Sequence, residues 1–173
     1  EKPGGADTRR MAPFYKDTPE TEHSLLHLYL NTNKESITLD IHTKEGAEIL
    51  KELACRCDIL VEDYPPGELE SLGLGYSDLE QINPRLITLS ITNFGQTGPY
   101  RDWNATDLTI LAMGGMSKMV GSKDREPLAL AGHQGHYNGS VHAFAGVLTA
   151  LWHRDLTDEG QHVDVSLVDA MAF

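Results

Sequence analysis

The sequence is poor in cysteine, in long apolar runs and in positive charge, and each shortage excludes something. It has two cysteines, Cys55 and Cys57, in 173 residues. Their spacing is too tight for a disulfide framework, so a reduced, cytoplasmic setting is expected. No apolar run approaches the ~20 residues that a membrane helix needs, which leaves no membrane partner to expect. Lysine and arginine total 14 against 26 aspartates and glutamates, a formal charge of -12. That excess disfavours nucleic-acid backbone, whose binding needs cations at the phosphates. A small anion held by a few local bases stays compatible with it. The usual nucleotide signatures G-x-G-x-x-G and G-x-x-x-x-G-K-[ST] are missing, as is the G-x-S-x-G of many α/β hydrolases. At Glu1 there is neither an initiator Met nor a signal-peptide pattern, and Phe173 comes just after an apparent helix start at Leu167–Met171. A fragment of a longer chain is therefore expected.

What is present is ordinary for a globular domain: 40% hydrophobic residues and enough length for one core. The first 22 residues, rich in Gly, Pro and charge, read as loop. Leu25, Leu26, Leu28 and Leu30 form a short buried segment. Ser36–Asp40 alternates and is β-branched, which predicts a strand. Thr43 is placed to cap a helix whose core face is Ala47, Leu50, Leu53, Ala54 and Cys57. Asp58–Glu62 is a second strand of the apolar kind that parallel sheets bury. Ser77–Glu80 has the form of a capping box. Leu86–Thr92 predicts a third strand, Asp107–Met113 a helix, Val120–Gly135 a loop and Asn138–Arg154 a long helix. The apolar positions Val141, Phe144, Ala145, Leu148, Leu151 and Trp152 cover most of that helix, which predicts burial on more than one side. His162–Ser166 is the last strand. Alternation of strands and helices with short connections points to a parallel α/β sheet.

Ligands of such sheets lie outside the carboxyl ends of the strands. The loop Asn93–Tyr100, with Gly95, Gly98 and Pro99, is therefore a candidate wall of a site. By spacing alone its G-x-x-G reads rather as a plain surface turn. His133 and His136, three residues apart, could share a metal with Cys57 or Asp107, but no third ligand has the right local spacing. No metal is expected. Asp107 lies at a helix start, where it would stabilise the helix dipole or face a cleft. Lys2, Arg9 and Arg10 are either solvated surface charges or bases that meet phosphates beside Gly4 and Gly5. Tyr64 and Trp103 are core or rim aromatics, or stack on an adenine.

Several segments together resemble the class III CoA-transferases, the group of formyl-CoA transferase, carnitine CoA-transferase and α-methylacyl-CoA racemase. They are Glu1–Gly5, Thr8-Arg9, Asn33–Asp40, Asp58–Tyr64, Leu72–Tyr76, Asn83–Ile87, Phe94–Tyr100 and Gly160–Ser166, in family order and nearly spanning the chain. The resemblance implies an α/β fold with a Rossmann-like parallel sheet, residues 1–173 being part of the large CoA-binding domain. A strand and a helix would precede Glu1, and a small domain would follow Phe173. It implies CoA transfer between an acyl-CoA and a carboxylic acid, with coenzyme A as substrate and no covalent cofactor. Two interlocked chains are implied, identical or homologous. CoA contacts would fall at Lys2, at Leu39 to His42, at Asp63, Tyr64 and Pro65, and from Asn104 to Asp107. Where many relatives have Asn-Phe, this sequence has Asp63-Tyr64. The family's nucleophile is an Asp a few residues before the long helix, and that position is His136 here. Imidazole cannot form the same anhydride or carry CoA as an aspartyl thioester, but it serves as a base or an acyl carrier. Two alternatives accompany this reading. One is a non-catalytic CoA-binding subunit paired with a complete homologue. The other is a racemase, whose catalytic His and Asp would fall at Thr106 and His136. Asp107 matches the acidic position of that motif.

Overall fold

A computed structural model describes residues 1–172, and the chain divides into two compact units, Glu1–Leu50 and Lys51 onward. In the first, two 3-10 turns (Asp7–Arg10 and Tyr15–Asp17) precede a short helix, α1 (Leu25–Leu30). Ser24 caps α1 by accepting from the His27 amide at 3.2 Å and donates to the Met11 carbonyl at 2.7 Å. The leucines expected to be buried here are not: Leu25, Leu28 and Leu30 are exposed, while Ser24 and His27 are buried. Six residues make less than two turns, and the polar cap occupies the inner face. The predicted strand Ser36–Asp40 does not form either. Its segment is extended, and Glu1 bridges it by donating to the Ile37 carbonyl and accepting from the Leu39 amide. One bracketing residue is a single step of a parallel ladder, too short to make a strand. Thr43 does cap α2 (Lys44–Ala54), accepting from the Gly46 amide at 3.0 Å.

The second unit is built on three parallel strands in the order β1 (Ile59–Glu62), β2 (Ile87–Thr92), β3 (His162–Ser166). Between β1 and β2 run α3 (Glu68–Ser71) and α4 (Tyr76–Leu79). Between β2 and β3 run α5 (Asp107–Met113), α6 (Met116–Met119) and α7 (Gln134–Thr157), and α8 (Leu167–Ala170) follows β3. All three predicted strand positions of this unit are occupied, and α5 has the predicted bounds. Helix α7 starts four residues earlier than predicted, at Gln134. The chain thus enters it directly from the Gly132 turn.

Alternation gives the sheet two unlike faces. Leu89, Ile91, Val163 and Val165 pack on Ala143 and Val147 of α7. The same alternation puts Glu62, Thr88, Ser90, Thr92, His162 and Asp164 on the other face. Small residues let α7 lie close: a side chain at Gly139 would collide with Leu167, and one at Gly146 would meet Val163 at 3.0 Å. At its far end Arg154, nearly buried, donates to the Asp58 and Arg85 carbonyls and pairs with the Asp58 carboxylate at 3.1 Å.

Two expectations need correction. Ser77–Glu80 is not a capping box: α4 begins at Tyr76 with Gly75 as its cap, so Ser77 lies inside the helix and Glu80 ends it. The cause is packing. A Cβ at Gly75 would crowd Glu70, so the glycine fixes the entry, and the Tyr76 hydroxyl anchors the first turn on the Gly160 carbonyl. Nor is α7 buried on most sides. Val141 (67% exposed), Phe144 (63%) and Trp152 (71%) form an outward stripe, and the buried stripe is made by Gly139, Ala143, Val147 and Ala150. The smaller residues won the sheet-facing side because they permit close approach.

Gly160 turns the chain from α7 into β3, its amide donating to the Pro84 carbonyl at 2.7 Å. A Cβ there would fall on the Leu86 carbonyl oxygen. Gly160→Ala should therefore destabilise the protein by roughly 2–4 kcal/mol, read as a lower urea midpoint with unchanged slope.

Candidate active site

Helices α5 and α7 converge at their N-termini outside the carboxyl end of β2. Thr106 caps α5 through the Thr109 amide. The next residue, Asp107, turns its carboxylate to α7. One oxygen, Oδ1, accepts from the Gly135 amide (2.9 Å), from the His136 amide (3.3 Å) and from His136 Nδ1 (2.9 Å). The carboxylate replaces the side-chain cap that α7 lacks at His133 and sits in the positive field of a 24-residue helix. With a carboxylate on Nδ1, the neutral imidazole carries its proton there and presents the lone pair on Nε2. Burial separates the partners: the Asp107 side chain is 14% exposed and that of His136 50%. A sheltered acid thus orients an accessible base, an arrangement able to take a proton or attack a carbonyl.

His136 opens on a cavity of about 540 Å³. Asp63, Tyr64 and Pro65, at the end of β1, line it, as does Asn104 before α5. Five of the six residues named from the sequence in this unit therefore line one cavity, and the sixth, Asp107, bonds to His136 behind it. Trp103 lines it too, packed against Tyr100 (ring centroids 4.6 Å). Phe94 completes the aromatic group at 6.0 Å from Tyr100. The cavity has one guanidinium, Arg101, already engaged with the Asp102 carboxylate and the Pro66 carbonyl. Gly95 turns the loop after β2 at φ +80°, and the Gln96 amide that follows donates to Asp164. Asn93, where that loop leaves β2, lies on the cavity wall with His136.

The sequence reading passed over Ser140, Thr92 and Leu167, which also line the cavity. Ser140 had a usable signal: it stands four residues after His136, on the same face of the helix. Thr92 and Leu167 had none, since both look like ordinary strand-end and helix-start residues.

Lys2, Leu39 and His42 lie in the first unit. Lys2 pairs with Asp7 at 3.2 Å, the Leu39 amide donates to the Glu1 carbonyl, and the His42 ring stands 3.3 Å from Asp40. Arg9 is committed to two carboxylates, Glu1 and Glu22, both at 2.8 Å. The Arg9 guanidinium holds the Glu1 carboxyl well below the ordinary range, at about 2. Among the described residues no group of three or more His, Cys, Asp or Glu side chains is arranged to hold a metal, and no helix is long and apolar enough to cross a membrane.

Of the loop Asn93–Tyr100 expected as a wall only Asn93 lines the cavity; the strand ends, the segment from Arg101 to Asn104 and the Asp107-oriented His136 form it, in the place where α/β sheets bind ligands. The family model for CoA-transferase family III matches residues 1–173, and the chain belongs to that family. It is 40% identical to the formyl-CoA:oxalate CoA-transferase of Streptomyces avermitilis, over 99% of this chain and 41% of that protein. It is 34% identical to the succinyl-CoA:(R)-benzylsuccinate CoA-transferase subunit BbsE of Thauera aromatica, over 99% and 42%. Among solved structures, a CAIB/BAIF family protein from Brucella suis superposes with a TM-score of 0.91 at 35% identity, over 99% of this chain and 46% of that one. The chain thus spans less than half the length of these relatives, and its fold is that of the matching stretch of the solved structure.

Asp107→Ala should leave two amides of α7 uncapped and cost about 1–2 kcal/mol. In nitrogen-resolved NMR the His136 ring should shift from a proton fixed on Nδ1 to a tautomer mixture. An unchanged ring signal would contradict the Asp107–His136 bond.

Proposed function

We propose that this chain is the CoA-handling part of a family III CoA-transferase in which His136 stands where the family's nucleophilic aspartate would be. The observation that carries the reading is the Asp107-oriented imidazole on the wall of the strand-end cavity. Nε2 would attack the acyl-CoA carbonyl, giving an acyl-imidazole and releasing the CoA thiolate. A carboxylate acceptor would attack that acyl group, giving a mixed anhydride and restoring the imidazole. The thiolate would then attack the acceptor's carbonyl, forming the new acyl-CoA and expelling the original acyl group as its carboxylate. Asp107 stabilises the cationic imidazole through Nδ1.

Coenzyme A would be held as substrate by Asp63, Tyr64, Pro65 and Asn104 at the cavity, with Lys2 and Leu39 to His42 as further contacts. Tyr64 and Trp103 offer faces for stacking. Residues 1–173 would form part of the large domain, in a cytoplasmic enzyme of two interlocked chains. No covalent cofactor takes part in this route.

A second reading has one observation in its favour: the relative from Thauera is named as a subunit. On that reading this chain binds CoA and pairs with a homologous chain that carries the nucleophile. A racemase is the weaker alternative, because its two catalytic positions hold Thr106 and His136.

The test uses the full-length protein with labelled acyl-CoA, a carboxylate acceptor and hydroxylamine. The expected result is a hydroxylamine-sensitive acyl group on the His136 peptide, with transfer lost at least ~100-fold in His136→Ala. Transfer that appears only after a homologous chain is added, with no acyl group on this one, would overturn the first reading in favour of the second.

A further inference from the structure

Three polar side chains form a line across the sheet on the face away from α7. Glu62, the last residue of β1, stands opposite Ser90 in the ladder, and Thr88, one face-repeat back, stands opposite His162. The Ser90 side chain lies beside the Glu62 carboxyl across the ladder, and its hydroxyl meets His162 Nε2 at 2.9 Å. His162 is in turn stacked on Tyr76, ring centroids 5.9 Å apart at 21°. At the other end of the line, Glu62 Oε2 accepts from the Tyr64 amide at 2.7 Å. That amide begins the Tyr64–Pro66 stretch of the cavity wall.

Ser90 beside a histidine suggests a nucleophile, but the serine is 6% exposed and sealed between strands. It has no route to a substrate. Structure of the wall is the better use of the line. Pro65 and Pro66 have no amide protons, so nothing from their own backbone nitrogens can fix this stretch. The Tyr64 amide ties the wall to the sheet through Glu62, while the Pro65 and Pro66 carbonyls accept from the Glu68 amide and from Arg101.

We propose that Glu62 is a positioning residue, which with Ser90 and His162 forms a strut that fixes the Tyr64–Pro66 wall of the cavity. Its relevance to CoA rests on the function proposed above; its mechanics do not. Charge acts on the strut from several sides. Asp63 and Glu70 oppose ionisation of Glu62, Ser90 and the Tyr64 amide favour it, and from β3 both His162, through Ser90, and Asp164, opposite Ser90 in the ladder, face the line. Burial is the largest influence and pushes the Glu62 carboxyl above its ordinary range. A raised carboxyl binds more protons in the folded state, so its contribution to stability fades as pH rises through that range.

The test is hydrogen exchange on the full-length protein, read in the peptide over residues 63–66, whose only amides belong to Asp63 and Tyr64. Glu62→Leu should speed exchange of the Tyr64 amide at least tenfold while the amides of Ile87–Leu89 stay protected. Glu62→Gln keeps an acceptor for Tyr64 and a donor for Ser90, and should stay within about threefold of wild type. It should also gain in urea stability relative to wild type as pH rises from the ordinary carboxylate range, because it cannot ionise. If Glu62→Leu unfolds the sheet, Ser90→Ala takes its place, with a smaller acceleration at Tyr64 expected. Unchanged Tyr64 exchange in a folded variant overturns the strut. Adding CoA to wild type separates the two readings. If CoA leaves this peptide's exchange unaltered, the CoA contact fails, and the variant arm still decides the strut.

Discussion

One carboxylate oxygen holds the candidate site together. Asp107 Oδ1 takes three hydrogen bonds from the first residues of α7, two from the backbone and one from a ring. Those backbone amides would otherwise be the unsatisfied donors of a long helix. The same contact that starts α7 also chooses which imidazole nitrogen points at solvent. Helix initiation and the orientation of the His136 ring are thus set by one group. The packing behind it is equally economical. Gly135 has room for no side chain between Ile110 and Asp107, so the backbone itself comes within reach of the acid.

Much of this was legible in the sequence, for reasons that can be named. The strands at Ile59–Glu62, Ile87–Thr92 and His162–Ser166 are apolar or β-branched runs bounded by turn residues, and a parallel sheet leaves them little freedom to be otherwise. The gathering of Asp63, Tyr64, Pro65, Asn104 and His136 at one cavity followed from family resemblance combined with the rule that ligands meet strand ends. Spacing alone would not have joined Asp107 to His136, since 29 residues and two helices separate them.

What was not legible depended on partners. Ser36–Asp40 has every intrinsic mark of a strand, but a ladder is a property of two segments, and here only Glu1 supplies the second. The leucines of α1 have the hydrophobicity of a core, but a six-residue helix has one inner face and Ser24 and His27 occupy it. On α7 the large apolar side chains were expected to choose the sheet, and the small ones took it. Close approach of helix to sheet favours glycine and alanine, a preference that a hydrophobic pattern cannot express. The polar line from Glu62 to His162 was invisible for a similar reason. It exists only in the register between three strands.

Arg154 gives α7 a second meaning. The helix is clamped at its far end to Asp58 and Arg85, and at its near end to Asp107. From Arg154 to His136 it runs about 27 Å at the ordinary helical rise. It is therefore a rod pinned at both ends of the sheet, at the entry ends of β1 and β2 and again beside the carboxyl end of β2. A tilt of roughly 2° about Arg154 would displace the imidazole by about 1 Å, and the Asp107 contact resists that swing. The far clamp and the near one thus hold the same ring from opposite ends of the sheet.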